Sequence, residues 1–100
     1  MRDKGIISDL NKVFDSRVRL GIMSILMVND SYDFNSFKET LNVTDGNLAS
    51  HIKALEEKGL IRINKQFIGR KPNTTYLITE QGVTLFKKHI KALEDLLKTQ

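Results

Sequence analysis

Hydrophobic spacing changes period at Gly59, and this change limits the possible folds more than any other feature of the chain. Upstream, Leu48, Ile52 and Leu55 recur at i, i+4 and i+7, the spacing of one helix face. Downstream, Ile61 and Ile63 alternate with Arg62 and Asn64, the period-two pattern of a strand. The boundary carries its own stop signal. Lys58 suits the negative end of a helix dipole, Gly59 fits a left-handed C′ position, and Leu60 can fold back onto Leu55. Thr74 to Ile78 is β-branched and aromatic and reads as a returning strand. Gly69-Arg70-Lys71-Pro72-Asn73 reads as the loop between the strands. A helix over 45–58 therefore runs straight into a two-stranded hairpin.

The remaining elements are helical. Ile6, Ile7, Leu10, Val13 and Phe14 predict a first helix over 6–14. Ser16 caps a second, with Val18, Ile22, Ile25 and Leu26 as its inner stripe. Asn29 to Asp33 is a polar break, and Tyr32 to Phe34 is a candidate short strand. Asn35 is the expected cap of a short third helix that turns Phe37 and Leu41 inward. Asn42 tolerates the left-handed backbone of a tight exit. Thr44 then caps the fourth helix, with Asp45 favourable in its first turn. Thr79 caps the last, where Val83, Phe86, Ile90, Leu93 and Leu97 are spaced as a short heptad-like seam.

Composition excludes several functions. The 100 residues suit one domain and hold no cysteine and only two histidines, His51 and His89, so no thiolate metal site or disulfide frame is expected. The longest apolar run, Leu20 to Val28, is far short of the roughly 20 residues of a membrane span. No secretory-type segment opens the chain. A soluble, cytoplasmic and nucleoid-associated protein without membrane partner is the expectation. Ser50 and His51 are neighbours on a helix, so their side chains diverge by about 100° and form no nucleophile–base pair. No phosphate-cradling glycine loop or paired carboxylates appear. No catalytic residue, metal or cofactor is expected.

Charge is the positive clue. The net charge of +4 lies wholly within residues 51 to 71, which hold six Lys and Arg against two Glu. A local basic block suits a polyanionic partner.

Helix, tight turn and helix together read Phe37-x-x-x-Leu41-Asn-Val-Thr-Asp-Gly-Asn-Leu48-x-x-x-Ile52-x-x-Leu55. Leu41, Val43 and Leu48 can meet inside the turn, the packing logic of a helix-turn-helix. The basic hairpin that follows makes it a winged version. Leu41 to Ile61, with Gly69-Arg-Lys-Pro-Asn-Thr-Thr-Tyr76-Leu-Ile-Thr-Glu-Gln-Gly82, resembles winged helix-turn-helix transcriptional regulators. The closest similarity is to small MarR- and ArsR-like prokaryotic regulators of the compact single-domain kind. Ser50-His51, Gly59-Leu60 and Thr79-Glu-Gln-Gly82 are the most telling local matches, and the order of elements agrees over nearly the whole chain. The metal ligands of ArsR-like sensors are absent.

The resemblance implies a mainly α fold with a small β-hairpin wing (α+β), as one domain over 1–100. Within it, 16–79 is the DNA-binding core, and 6–14 and 80–98 are dimerisation helices. The helix face opposite Leu48 presents Gly46, Asn47, Ser50, Lys53, Ala54 and Glu57, with His51 on the flank. Asn and Ser hydrogen-bond base edges, and small residues allow close approach in the major groove. Thr44 and Asp45 open the same helix and join the candidate DNA contacts, as do Arg62 and the wing residues Arg70 and Lys71 of segment 67–74. Arg17 and Arg19 have two readings, phosphate contact or salt bridges to Asp9, Asp15 or the last helix. Ile6, Ile7 and Leu10 with Phe86, Ile90, Leu93 and Leu97 are the candidate homodimer interface. The expected partner is double-stranded DNA with a pseudo-palindromic operator; no residue marks a small-molecule effector. The alternative is a winged helix used as a protein-interaction module.

Overall fold

Side chains that cap helix ends set most of the element boundaries in the computed structural model, which describes residues 7–98. The Ser16 hydroxyl accepts from Arg19 N–H and starts α1, Arg17–Val28. After the two-residue strand β1, Tyr32–Asp33, the Asp33 carboxylate accepts from Ser36 N–H at 2.7 Å and starts α2, Phe34–Leu41. The cap is thus Asp33 rather than Asn35, because the carboxylate sits where it meets the orphan N–H of the third helical residue. Those hydrogen bonds from Ser36 also hold the Asp33 carboxyl below its usual range. Asn42 ends α2 in the left-handed region at φ 54°. Thr44 Oγ1 accepts from Asn47 N–H and starts α3, Asp45–Glu57.

The end of α3 forms a Schellman closure. Leu60 N–H donates to Leu55 C=O at 3.0 Å and Gly59 N–H to Glu56 C=O at 2.9 Å, with Gly59 at φ 73°. Strand β2, Ile61–Ile68, follows at once and pairs antiparallel with β3, Lys71–Ile78. The sheet order is β1-β3-β2, with Tyr32 opposite Tyr76. The hairpin turn is shorter than expected. Ile68 pairs with Lys71, so only Gly69 and Arg70 form the turn. Gly69 takes φ 65° at the first turn position, where two-residue hairpins use glycine. Lys71, Pro72 and Asn73 have turn-like composition, but cross-strand pairing with Phe67 and Gln66 recruits them into β3.

Helix α4, Glu80–Lys98, starts at a junction with the wing base. Thr79 N–H donates to Leu60 C=O at 3.1 Å, and Thr79 Oγ1 donates to Gly59 C=O at 2.6 Å while accepting from Gly82 N–H at 2.9 Å. A Cβ on Gly82 would collide with the Leu60 carbonyl oxygen. This close approach rotates α4, so its buried stripe is Gly82, Phe86, His89 and Ala92. The seam read from spacing shares only Phe86 with that stripe; Ile90, Leu93 and Leu97 are exposed.

One hydrophobic cluster holds the elements together. It joins Ile22, Met23 and Leu26 of α1, Phe37 of α2, and Leu48, Ile52 and Leu55 of α3 to Leu60, Ile61, Tyr76 and Phe86. Fully burying a side chain of this kind is worth about 1.5–3 kcal/mol.

The predicted helix over 6–14 is largely absent. Ile6 lies outside the described residues, residues 7–9 form a turn, and only Lys12–Phe14 is helical, as a short 3₁₀ turn. Asn11 interrupts the periodicity. Its side chain accepts from Val13 N–H, and its own N–H donates to His89 Nδ1 at 3.0 Å. Val13 and Phe14 still reach the core. Phe14 packs edge-on against Phe86 at 5.2 Å and against His89 at 5.0 Å. Burial holds His89 below the ordinary imidazole range, against an opposing pull from Asp15. A neutral ring is what a hydrogen bond into Nδ1 requires.

Gly82→Ala separates local propensity from tertiary contact. In an open helix the change gains about 0.5–1 kcal/mol. Here collision with backbone costs about 1–3 kcal/mol. The urea midpoint is expected to fall, and an unchanged or higher midpoint contradicts the close approach.

Candidate nucleic-acid interface

With Leu48, Ile52 and Leu55 buried, α3 turns its opposite face to solvent. Gly46, Asn47, Ala49, Ser50 and Lys53 are exposed, and Ala54 is half-buried. A Cβ at Gly46 would meet nothing within 4 Å. This face carries two hydrogen-bonding side chains, one cation and, at its C-terminal end, the exposed acid Glu57. Ala49, one position from the buried Leu48, is exposed at its edge. A B-DNA major groove admits one such helix.

Other candidates on α3 have intramolecular partners. The Thr44 hydroxyl caps the helix. Asp45 pairs with Lys38 of α2 at 2.7 Å, which ties the two helices across the turn. His51 points back toward α1 and accepts from Arg19 Nε at 2.9 Å. Burial, and then the Arg19 charge, hold His51 below the ordinary imidazole range. Arg19 also donates to the Val13 carbonyl. In place of the expected salt bridges to Asp9, Asp15 or the last helix, it joins α1 to α3 and the 3₁₀ turn through neutral acceptors. Asp9 instead pairs with Lys88 at 3.6 Å. Arg17 is exposed beside Leu41, Asn42 and Val43 of the α2–α3 turn.

Strand register sorts the wing charges. Residues alternate faces along a strand. Ile61 and Ile63 face the core, so Lys65 and Phe67 share their face and Arg62 takes the outer one. Arg62 is exposed there beside Asn64 and Leu77. Arg70 lies in the turn and Lys71 opposite Ile68, both exposed. No acid occurs between Ile61 and Ile78. The acids Glu56 and Glu57 are exposed at the end of α3. Alternation puts Arg62 and Lys65 on opposite faces, and register decides which of them is the outer one.

Residues 18–97 match the family described as the winged helix DNA-binding domain. The chain belongs to that family. It is 40% identical over 87 residues to an uncharacterized protein of Methanocaldococcus jannaschii, which covers 87% of this chain and 95% of that one. Among solved structures, a transcriptional regulator homologue protein from Pyrococcus horikoshii is 33% identical with a TM-score of 0.80, covering 87% of this chain and 86% of that one. YusO from Bacillus subtilis has a TM-score of 0.80 at 16% identity, over 94% of this chain and 66% of that one, a likeness of fold. The resemblance read from Leu41–Ile61 and the wing is borne out, as is the α+β winged-helix fold. Among the described residues of this winged helix, no three His, Asp or Glu are grouped to hold a metal ion. No helix there is long and apolar enough to cross a membrane.

If the wing cations meet phosphate, removing them changes the ionic-strength dependence of duplex binding. Arg70→Ala with Lys71→Ala is expected to flatten the slope of log affinity against log salt by about 1–2. Fluorescence anisotropy titrations at several salt concentrations measure it, and an unchanged slope removes both residues from the interface.

Proposed function

We propose that this winged helix is a sequence-specific, homodimeric regulator of transcription acting on double-stranded DNA in the cytoplasm. It places α3 in the major groove and its wing, residues 67–74, on the adjacent minor groove or backbone. The observation that carries this reading is the exposed α3 face, open at Gly46 and hydrogen-bonding at Asn47 and Ser50. It is continuous in sequence with a hairpin bearing four cations and no acid. Asn47 and Ser50 read base edges; Lys53, Arg70 and Lys71 neutralise phosphate. The role in transcription draws support from the Pyrococcus horikoshii homologue. Thr44 caps α3, Asp45 ties it to Lys38 and His51 ties it to Arg19, and Arg62 is left to a backbone contact on the outer wing face.

The homodimer rests on exposed apolar surface. Leu97 is 75% exposed, and Ile90 and Leu93 are each 37% exposed, along one side of α4. Beside them an open groove of about 380 Å³ runs between α1 and α4, lined by Ser24, Met27, Lys87 and Lys91. Ile7 is exposed and Leu10 half-buried at the other end of the proposed interface. Phe86, expected at that interface, is 3% exposed within the single chain and serves its core. A symmetric pair places two α3 helices on half-sites about 34–36 Å apart, one turn of DNA.

Two measurements test these assignments. Asn47→Ala and Ser50→Ala are expected to lower discrimination between a selected operator and random duplex by about 1–3 kcal/mol for a good base contact. Wild-type discrimination in both variants means that another face reads DNA, or that the module binds protein instead. Leu97→Glu or Leu93→Glu is expected to give monomers by light scattering, whereas a stable dimer in both places the interface elsewhere.

A further inference from the structure

The cations of the wing explain attraction to a polyanion, but they do not explain its apolar tip. Phe67 is 73% exposed and Ile68 64% exposed, side by side at the end of β2. Strands exposed to water are ordinarily blunted by charge and polarity. Register places Phe67 opposite Pro72 on the face that leads to the core, and Ile68 opposite Lys71 on the other face. The tip therefore carries a large apolar side chain on each face, with Lys65, Arg70 and Lys71 around them. Pro72 locks its own φ and stiffens the strand behind Phe67.

An occupant for this surface must be apolar and anionic at once. A second copy of the chain brings the same positive tip and is repelled. The minor groove fits: its walls are sugar carbons, its floor is base edges, and phosphates line both rims. The hairpin also follows α3 after only the Lys58–Leu60 exit, so a wing beside the α3 site reaches the flanking groove. We propose that Phe67 is an apolar wedge that enters the minor groove beside the α3 site and bends the duplex there. This rests on the DNA-binding reading above and adds a mode of recognition to it. Arg70 and Lys71 hold the rims while Phe67 opens a base step. Easily unstacked steps such as TA and CA are then favoured at positions that no polar side chain touches.

The test uses the whole chain and a duplex of about 30 base pairs recovered from a random pool, dye-labelled at both ends. Energy transfer is expected to report a bend of about 20° or more with the wild type. Phe67→Ala is expected to straighten the duplex, to bind about tenfold more weakly and to keep the wild-type salt slope. Phe67→Leu is expected to retain most of the bend. A straight duplex in the wild-type complex, or an unchanged bend with Phe67→Ala, overturns the wedge and leaves the DNA-binding reading standing. So does Phe67-dependent binding to vesicles of anionic phospholipid with duplex binding unaltered, which makes the tip a membrane contact. Recovery of no duplex at all by the wild type overturns both.

Discussion

The hydroxyl of Thr79 donates to the Gly59 carbonyl and accepts from Gly82 N–H, so one side chain joins the end of α3, the base of the wing and the start of α4. The backbone repeats the connection, because Thr79 N–H donates to Leu60 C=O. Each group at this junction would otherwise be an orphan of a helix end or a strand base. Gly59 supplies the left-handed exit and Gly82 the space for a helix to touch a carbonyl. The directions in which α3 and the wing leave are consequently set at the same point. A surface made of a helix face and a hairpin can match two DNA grooves only if that angle is held.

A second tie secures α3 from behind. Arg19 of α1 bonds the His51 ring and the Val13 carbonyl, and Lys38 of α2 pairs with Asp45. The first is a half-buried contact between a cation and neutral acceptors. The second is an exposed ion pair of the kind worth no more than about 1 kcal/mol. The cations around α3 and the wing thus play two parts. Arg19 and Lys38 bond other parts of the fold, while Lys53, Lys65, Arg70 and Lys71 are exposed.

Local features were legible in the sequence. Ser16, Thr44, Asn42 and Gly59 act within three or four residues of their own position, as does Thr79 in its bond from Gly82 N–H, and each takes its expected role. The inward stripe of α3 is equally local. What the residues did not disclose depends on distant partners. Asn11 breaks the first helix by donating to His89, 78 positions away. The rotation of α4 depends on Gly82 meeting Leu60, which moves the buried stripe off the heptad-like spacing. His51 lies on the flank of the exposed α3 face by periodicity, and its bond from Arg19 depends on where α1 packs. The wing turn was overestimated because Lys71, Pro72 and Asn73 suit turns in isolation, while pairing across the hairpin decides their state.

The central claim is that one face of α3 and the wing form a single duplex-binding surface. Amide chemical shifts of the isotope-labelled chain, titrated with a selected duplex, test it most directly. The perturbed amides are expected to gather on Gly46 to Lys53 and on Lys65 to Lys71, and to titrate together. Shifts concentrated on α4 and the groove beside Met27 and Lys87, with α3 and the wing silent, would contradict it.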